Sequence, residues 1–164
     1  MRVSLLPYTK IDGVRTFPDS FVMNLWDRMQ GYSPYIDRIY QSREHWLIDM
    51  KTNSLLYIID IDGEIAGCTW LTHFQEGYAQ VHFFYFPEWW GRTEEIGREA
   101  MRQALSWKNE EGYVFDGFTG IIDKKNRLAL ALAKRCGWKE AGEIPFAFGQ
   151  EQPGIMMYIM REGG

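Results

Sequence analysis

The sequence predicts an α+β layered domain with a mixed, mostly antiparallel β-sheet and the element order β-α-α-β-β-β-α-β-α-β-β. Amphipathic segments with helical spacing alternate with short runs rich in β-branched and aromatic residues. The turn signals Asp62-Gly63 and Glu76-Gly77 join consecutive strands as hairpins. Because no linker or repeat interrupts the chain, we predict one domain over residues 1–164.

The N-terminal part of the chain is predicted to hold one strand and two helices. The strand covers residues 2–8. The first helix covers residues 18–30, since Pro18 suits a first helical turn and apolar residues follow at helical spacing. The second helix covers residues 35–51. Its predicted buried face consists of Ile36, Ile39, Tyr40, Trp46, Leu47 and Met50.

The rest of the chain is predicted to contain six strands and two further helices. The strands cover residues 55–60, 65–74, 78–86, 113–122, 140–148 and 155–161. The helices cover residues 93–109 and 126–136. Gly137 stands where a glycine commonly ends a helix.

The composition is that of a mildly acidic globular protein, with a formal charge of −4 and a pI near 5.4. Such a domain has no broad positive field, so nucleic acid is not an expected partner. No apolar run approaches the roughly 20 residues of a membrane helix, and Pro7 interrupts the N-terminal segment before a signal-peptide core forms. The two cysteines, Cys68 and Cys136, lack metal-site spacing. We therefore expect a cytoplasmic protein without a metal site or membrane contact.

The most informative segment covers residues 83–101, where an aromatic strand leads through a Pro/Gly corner into an amphipathic helix. The unpaired N–H groups and the dipole at a helix start both favour an anion. The corner lies between Phe86 and Arg92. The alternative is an ordinary strand-turn-helix connection, in which Glu94 and Glu95 are favourable first-turn residues.

A second informative segment covers residues 126–138. Asn126 precedes a periodic apolar run and suits a helix N-cap, since its side chain can accept a hydrogen bond from a backbone N–H group. Together the two segments resemble the core of the GNAT superfamily of N-acetyltransferases. The resemblance is carried by Phe84-x-Phe86-Pro87, by Arg92 and Gly97, and by Asn126, Ala129, Leu132, Gly137 and Trp138.

This resemblance implies acetyl-coenzyme A (acetyl-CoA) as the cosubstrate, with its pyrophosphate bound by the backbone of the turn. One alignment places Arg92 and Gly97 in that turn, and another places Gly91, Arg92 and Thr93 there. Asn126 would contact the pantetheine arm. The cofactor-binding residues that the resemblance implies are Phe84, Phe86, Gly91, Arg92, Thr93, Gly97 and Asn126.

The sequence departs from the family pattern in the turn and in the last helix. Glu95 replaces the middle glycine of the turn, with Glu94 beside it. Two carboxylates there would repel a pyrophosphate if they turn inward, and would leave the backbone accessible if they turn outward. Ala133 stands where many relatives carry a Tyr that protonates the leaving thiolate.

Two residues are predicted for the catalytic step. Acetylation needs a base that removes the ammonium proton of the acceptor. His82, four residues before Phe86, matches a position where relatives keep a basic His, and its ordinary pKa near 6.5 suits this step. Glu88 is a second candidate. Backbone N–H groups around residues 84–86 would polarise the thioester oxygen. The alternative for His82 is a structural, hydrogen-bonded residue among aromatic side chains.

Two functions are compatible with these features. The first is an acetyl-CoA-dependent N-acyltransferase that acts by direct transfer in a ternary complex, on a small-molecule or peptide amine. The second is a GNAT-like binding or assembly module without CoA binding, for example a phage virion or morphogenesis protein. The acidic turn favours the module, whereas His82 and Asn126 favour the enzyme, which we prefer. Trp89-Trp90 is a candidate pocket wall or homodimer interface.

Overall fold

The computed structural model describes residues 1–10, 12–30 and 39–162, which lie in two compact units. The first unit comprises Met1–Thr72 and His82–Gly91. The second comprises His73–Val81 and Arg92–Gly164. The prediction of a single domain over residues 1–164 stays a prediction.

The strands of the first unit follow the predicted hairpin pattern. β1 (Val3–Pro7) pairs antiparallel with β2 (Leu55–Ile61), and β2 pairs antiparallel with β3 (Glu64–Gln75). Asp62 and Gly63 both have positive φ, 51° and 92°, as a type I′ turn requires, so the predicted hairpin signal is confirmed. β4 (Tyr78–Tyr85) neighbours β3 and belongs to this unit from His82 onward.

Two described helices of the first unit, α1 (Asp19–Met29) and α2 (Arg43–Thr52), bury their apolar faces against these strands. Aromatic side chains dominate this core. Its buried members are Tyr8, Val22, Leu25, Trp26, Met29, Tyr40, Trp46, Leu47, Met50, Leu56, Ile58, Cys68, Trp70, Phe84 and Phe86.

Within the predicted second helix, residues 35–51, the structure describes α2 over Arg43–Thr52. Ser42 has an extended backbone, and its hydroxyl accepts a hydrogen bond from the His45 N–H over 3.1 Å, so this serine is the N-cap of α2. Ile39, placed on the buried face by the sequence, is 49% exposed. Tyr40, Trp46, Leu47 and Met50 are buried as predicted, and residues 35–38, with Ile36, lie outside the described residues.

The strands of the second unit pair both parallel and antiparallel. β4 pairs parallel with β7 (Gly117–Asp123) over Tyr78, Ala79 and Gln80. β7 pairs antiparallel with β9 (Gly154–Met160), and β9 with β8 (Lys139–Ile144). The helices α3 (Thr93–Leu105) and α4 (Arg127–Arg135) complete the unit. The α+β class with a mixed, mostly antiparallel sheet is therefore confirmed.

A short hairpin stands where the sequence predicted the end of a helix and the start of a strand. α3 stops at Leu105 instead of residue 109, and β7 starts at Gly117 instead of residue 113. Between them, β5 (Lys108–Asn109) and β6 (Gly112–Tyr113) pair antiparallel. The Asn109 side chain accepts a hydrogen bond from the Glu111 N–H over 2.9 Å, a turn interaction that competes with a helix.

No helix in the part of the chain that the structure describes is long and apolar enough to cross a bilayer.

Candidate functional site

His82 lies on β4 with a half-buried imidazole that two residues of β3 hold. Its Nε2 is 3.0 Å from Thr72 Oγ1. Its ring stacks on the Trp70 indole, with 5.1 Å between centroids and 12° between planes. Trp70 in turn meets Trp46 edge-on at 5.8 Å. The hydrogen bond to Thr72 and the stack on Trp70 therefore both hold the imidazole.

The sequence did not reveal Thr72 and Trp70 as neighbours of His82, because no motif links these positions. The available signal is strand alternation, which places residues 70 and 72 on one face of β3. Thr69, on the opposite face, uses its hydroxyl to donate a hydrogen bond to the His82 carbonyl over 2.8 Å.

Phe84 and Phe86 are core residues of the first unit, 6% and 1% exposed. Their rings meet edge-to-face at 5.7 Å. The Phe86 N–H donates a hydrogen bond to the Ala66 carbonyl over 2.8 Å. The expectation that N–H groups over residues 84–86 polarise the thioester is therefore corrected at Phe86, whose N–H is already committed to β3. N–H direction alternates along a strand, so the Phe84 N–H points to the same edge.

Glu88 lies in a short 3-10 helix, Pro87–Arg92, that follows β4. Its exposed carboxylate is 3.0 Å from the Arg28 guanidinium. A hydrogen bond from its own backbone N–H, together with the pairing to Arg28, lowers the pKa of Glu88. A carboxylate with a lowered pKa is a weaker base, so His82 is the stronger candidate for proton removal.

The start of α3 carries two acidic side chains, each paired with arginine. Arg92 is the N-cap, and its guanidinium is 3.6 Å from the Glu95 carboxylate. Glu94 lies 3.0 Å from Arg135 and 3.5 Å from Arg98. All of these side chains are partly solvent-exposed. The arginines compensate the negative charge that would otherwise face an anion at this helix start.

The other predicted turn residues have different surroundings. Gly91 is exposed, and a Cβ built there would meet nothing within 4 Å, so sterics do not require glycine at this position. Thr93 is the first residue of α3 and is half-buried. Gly97 lies on the buried face of α3, one turn into the helix. In this conformation Gly97 is a helix-packing residue rather than a loop residue.

Asn126 is the N-cap of α4, as predicted. Its Oδ1 accepts a hydrogen bond from the Ala129 N–H over 3.1 Å, and its own N–H donates to the Asp123 carbonyl over 2.9 Å. The cap uses only the side-chain oxygen. Among the residues that the structure describes, the Nδ2 group of Asn126 has no hydrogen-bond partner, so two N–H donors remain for a ligand.

Cys136, at the end of α4, has the character of a small buried residue. Burial is the largest cause that raises the pKa of its thiol, and Sγ lies 3.6 Å from the Glu94 carbonyl. A thiol with a raised pKa is a poor nucleophile near neutral pH. Within residues 1–10, 12–30 and 39–162, no three His, Cys, Asp or Glu side chains group as metal ligands.

Several solved structures of acetyltransferases are similar in fold to this chain. RimL, a ribosomal L7/L12 alpha-N-protein acetyltransferase in complex with coenzyme A, matches with a TM-score of 0.69 at 14% identity, over 99% of this chain and 96% of that one. The spermidine N-acetyltransferase of Vibrio cholerae, in complex with CoA and spermine, matches with a TM-score of 0.67 at 18% identity, over 96% and 95%. The N-acetyltransferase PseH of Campylobacter jejuni, in complex with acetyl-CoA, matches with a TM-score of 0.65 at 12% identity, over 98% and 100%.

Comparison with curated protein sequences gives no match. At these low identities the solved structures show the fold alone. The family is shown by the sequence itself, because the model of the acetyltransferase (GNAT) family matches residues 21–138, well over half of the chain. The chain therefore belongs to the acetyltransferase (GNAT) family.

Proposed function

We propose that the protein is an acetyl-CoA-dependent N-acyltransferase that transfers the acetyl group directly to an amine in a ternary complex. The observation that carries the proposal is the His82 imidazole, held by Thr72 at 3.0 Å and stacked on Trp70. Family membership supports the reaction class. The comparisons give no support to a non-catalytic module.

In this proposal His82 is the base. It takes one proton from the acceptor ammonium, so an N–H bond of the ammonium breaks and one forms on the imidazole. The neutral amine then attacks the thioester carbonyl and a C–N bond forms. The nitrogen releases its second proton to solvent as the C–S bond breaks and the amide forms. Coenzyme A leaves as a thiolate that takes its proton from solvent, since Ala133 offers no hydroxyl. His82 returns its proton to solvent.

Arg92 and Thr93, with the first turn of α3 up to Gly97, are proposed to bind the pyrophosphate. The Arg92–Glu95 pair is exposed, and such pairs contribute only about 0–1 kcal/mol. A bidentate contact between arginine and phosphate is stronger, so the exchange of Glu95 for a phosphate at Arg92 is favourable. Gly91 would contribute main-chain groups only. No contact with the pyrophosphate is proposed for Phe84 and Phe86, since both rings are buried in the core and the Phe86 N–H is bonded to Ala66.

Asn126 is proposed to hold the pantetheine arm through its Nδ2 group. The amide oxygen stays in the N-cap of α4, and the amide N–H groups donate to a carbonyl of the pantetheine. This division of roles needs an amide, since a carboxylate at the same position would cap the helix without donating.

The proposed acceptor is a small-molecule or peptide amine. The similar structures support both classes, because the Vibrio cholerae enzyme is a spermidine N-acetyltransferase and RimL is an alpha-N-protein acetyltransferase.

The test is amine-dependent release of the coenzyme A thiol. Purified protein is mixed with acetyl-CoA and a panel of polyamines, amino acids, aminoglycosides and peptide N-termini, and thiol release is followed together with the mass of the acceptor. We expect release that requires one acceptor class and that falls in His82→Ala but not in His45→Ala. The His45 ring is a suitable control because its Nδ1 accepts a hydrogen bond from the Gln41 N–H beside α2. Binding of acetyl-CoA without release for any amine would overturn the proposal.

A further inference from the structure

Two of the few buried polar side chains among the described residues form hydrogen bonds with His82. The buried polar or charged residues are Ser54, Thr69, Thr72 and Asp123. Thr69, 2% exposed, bonds the His82 carbonyl, and Thr72, 7% exposed, bonds its ring nitrogen. Burying a hydroxyl is unfavourable unless it is hydrogen-bonded. The fold therefore places two buried hydroxyls where His82 satisfies their hydrogen bonding.

Thr72 favours the protonated form of the imidazole. In an imidazolium both ring nitrogens carry a hydrogen, so the Thr72 hydroxyl must accept the hydrogen bond from Nε2. A hydrogen bond made to the charged form stabilises that form. The same hydroxyl can also bond a neutral ring, but a charge-assisted bond is stronger, so the contact counteracts the effect of partial burial, which favours a neutral ring.

The Trp70 stack acts in the same direction. The indole face is electron-rich, and a cation over such a face is stabilised. Trp70 is 2% exposed and its orientation is fixed by the edge-on contact with Trp46, so the stack cannot turn away when His82 is charged.

Several titratable groups on the neighbouring elements have partners of their own. On α2 and just before it, Tyr40 donates a hydrogen bond to Asp49 over 2.7 Å, and His45 accepts from a backbone N–H. At the end of β4, Glu88 is paired with Arg28 of α1. Thr72 and Trp70, which contact the His82 ring, both lie on β3.

We propose that Thr72 and Trp70 are positioning residues that hold the His82 imidazole and stabilise it when it carries the proton taken from the acceptor. This inference rests on the proposed function, in which His82 is the base. It adds a physical reason why a partly buried histidine can accept a proton.

The experiment is an NMR titration of the His82 ring in the whole protein without substrate, with the signal assigned from His82→Gln. A hydrogen bond to a charged group is roughly twice as strong as one to a neutral group, so Thr72→Val should lower the pKa of His82 by about one pH unit. Thr72→Ser keeps the hydroxyl, so its His82 pKa should equal that of the unmodified protein. Trp70→Phe keeps a stacked ring with a weaker cation–π interaction, so a smaller decrease is expected.

Thr69→Val is the matched control. It removes an equally buried hydroxyl from the same strand, but that hydroxyl bonds the main chain of His82 and not its ring. Its titration curve should match that of the unmodified protein. Equal pKa values in Thr72→Val, Thr72→Ser and the unmodified protein would overturn the proposal.

A second readout separates this proposal from the proposed function. If His82 is the base, the acid limb of the kcat/KM profile moves to lower pH in Thr72→Val by the same amount as the pKa of the ring. A shifted ring pKa with an unmoved profile would leave Thr72 as a positioning residue and overturn the assignment of His82 as the base.

Discussion

The surroundings of His82 and the start of α3 are built in different ways. His82 is held by buried neighbours, namely the hydroxyl of Thr72 and the ring of Trp70. Arg92 and Glu95, in contrast, meet in a partly exposed ion pair at 3.6 Å. Buried hydrogen bonds and ring stacks hold one geometry, whereas exposed ion pairs rearrange at low cost. The proposed proton-transfer residue is therefore preorganised, whereas the proposed phosphate-binding residues can exchange partners when a ligand binds.

The largest expected effect is on turnover in His82→Ala. A positioned base contributes about 10²–10⁴-fold, so kcat should fall by that factor while the dissociation constant of acetyl-CoA stays unchanged. Single-turnover kinetics and calorimetry measure the two quantities separately. A kcat equal to that of the unmodified protein would remove His82 from the mechanism.

The next largest effect is on stability, at the point where β3 and β4 approach each other closely near His82. A Cβ on Gly67 would overlap the backbone carbonyl of Phe84, so Gly67→Ala should lower the free energy of unfolding by about 3 kcal/mol. Gly142→Ala is the matched control, because Gly142 has the same φ of 156° and open space around its Cα. Urea unfolding measures both. Equal losses in the two variants would show that backbone conformation, and not the contact with Phe84, decides the effect.

Asn126 offers a test in which stability and binding separate. Asn126→Ala removes the N-cap and should lower the free energy of unfolding by about 1 kcal/mol, and it should also weaken acetyl-CoA binding. Asn126→Asp keeps the cap oxygen but removes the N–H donors, so it should weaken binding while the stability stays near that of the unmodified protein. Thermal unfolding and calorimetry read the two effects. Full binding in Asn126→Asp would contradict the role proposed for the Nδ2 group.

The features of the fold that depend on residues adjacent in the sequence were predictable from the sequence. Asp62-Gly63 forms its turn, Asn126 caps its helix and Gly137 takes a positive φ of 97°, because short-range backbone geometry decides each of them. The pairing of Glu94 with Arg135 joins residues 41 positions apart, and the contact between Thr72 and His82 crosses two strands. Such contacts depend on strand register and helix packing, which no local pattern encodes. The sequence therefore indicated acidic residues in the turn, but could not indicate that arginines neutralise them.

The smallest expected effect is that of the acidic turn itself. Glu95→Gln removes the ion pair with Arg92 and one negative charge, so acetyl-CoA should bind more tightly by about 1 kcal/mol, or about five-fold, at low salt. Stability should change by less than about 0.5 kcal/mol, since the pair is exposed. Calorimetry at low and high salt measures the change, and Glu76→Gln, which removes a carboxylate from the turn between β3 and β4, controls for net charge. Equal affinities in the two variants would show that Glu95 does not compete for Arg92.

The most direct test of the central claim, that Arg92 and the start of α3 bind the nucleotide end of acetyl-CoA, is thermal unfolding with and without this ligand. At 100 times its dissociation constant, acetyl-CoA should add about 2.7 kcal/mol to the free energy of unfolding and raise Tm by several degrees. Arg92→Glu should abolish this increase, and the Tm of the ligand-free variant, measured in parallel, controls for the loss of the ion pair with Glu95. An unchanged Tm for the unmodified protein at millimolar acetyl-CoA, or an equal increase in Arg92→Glu, would contradict the account.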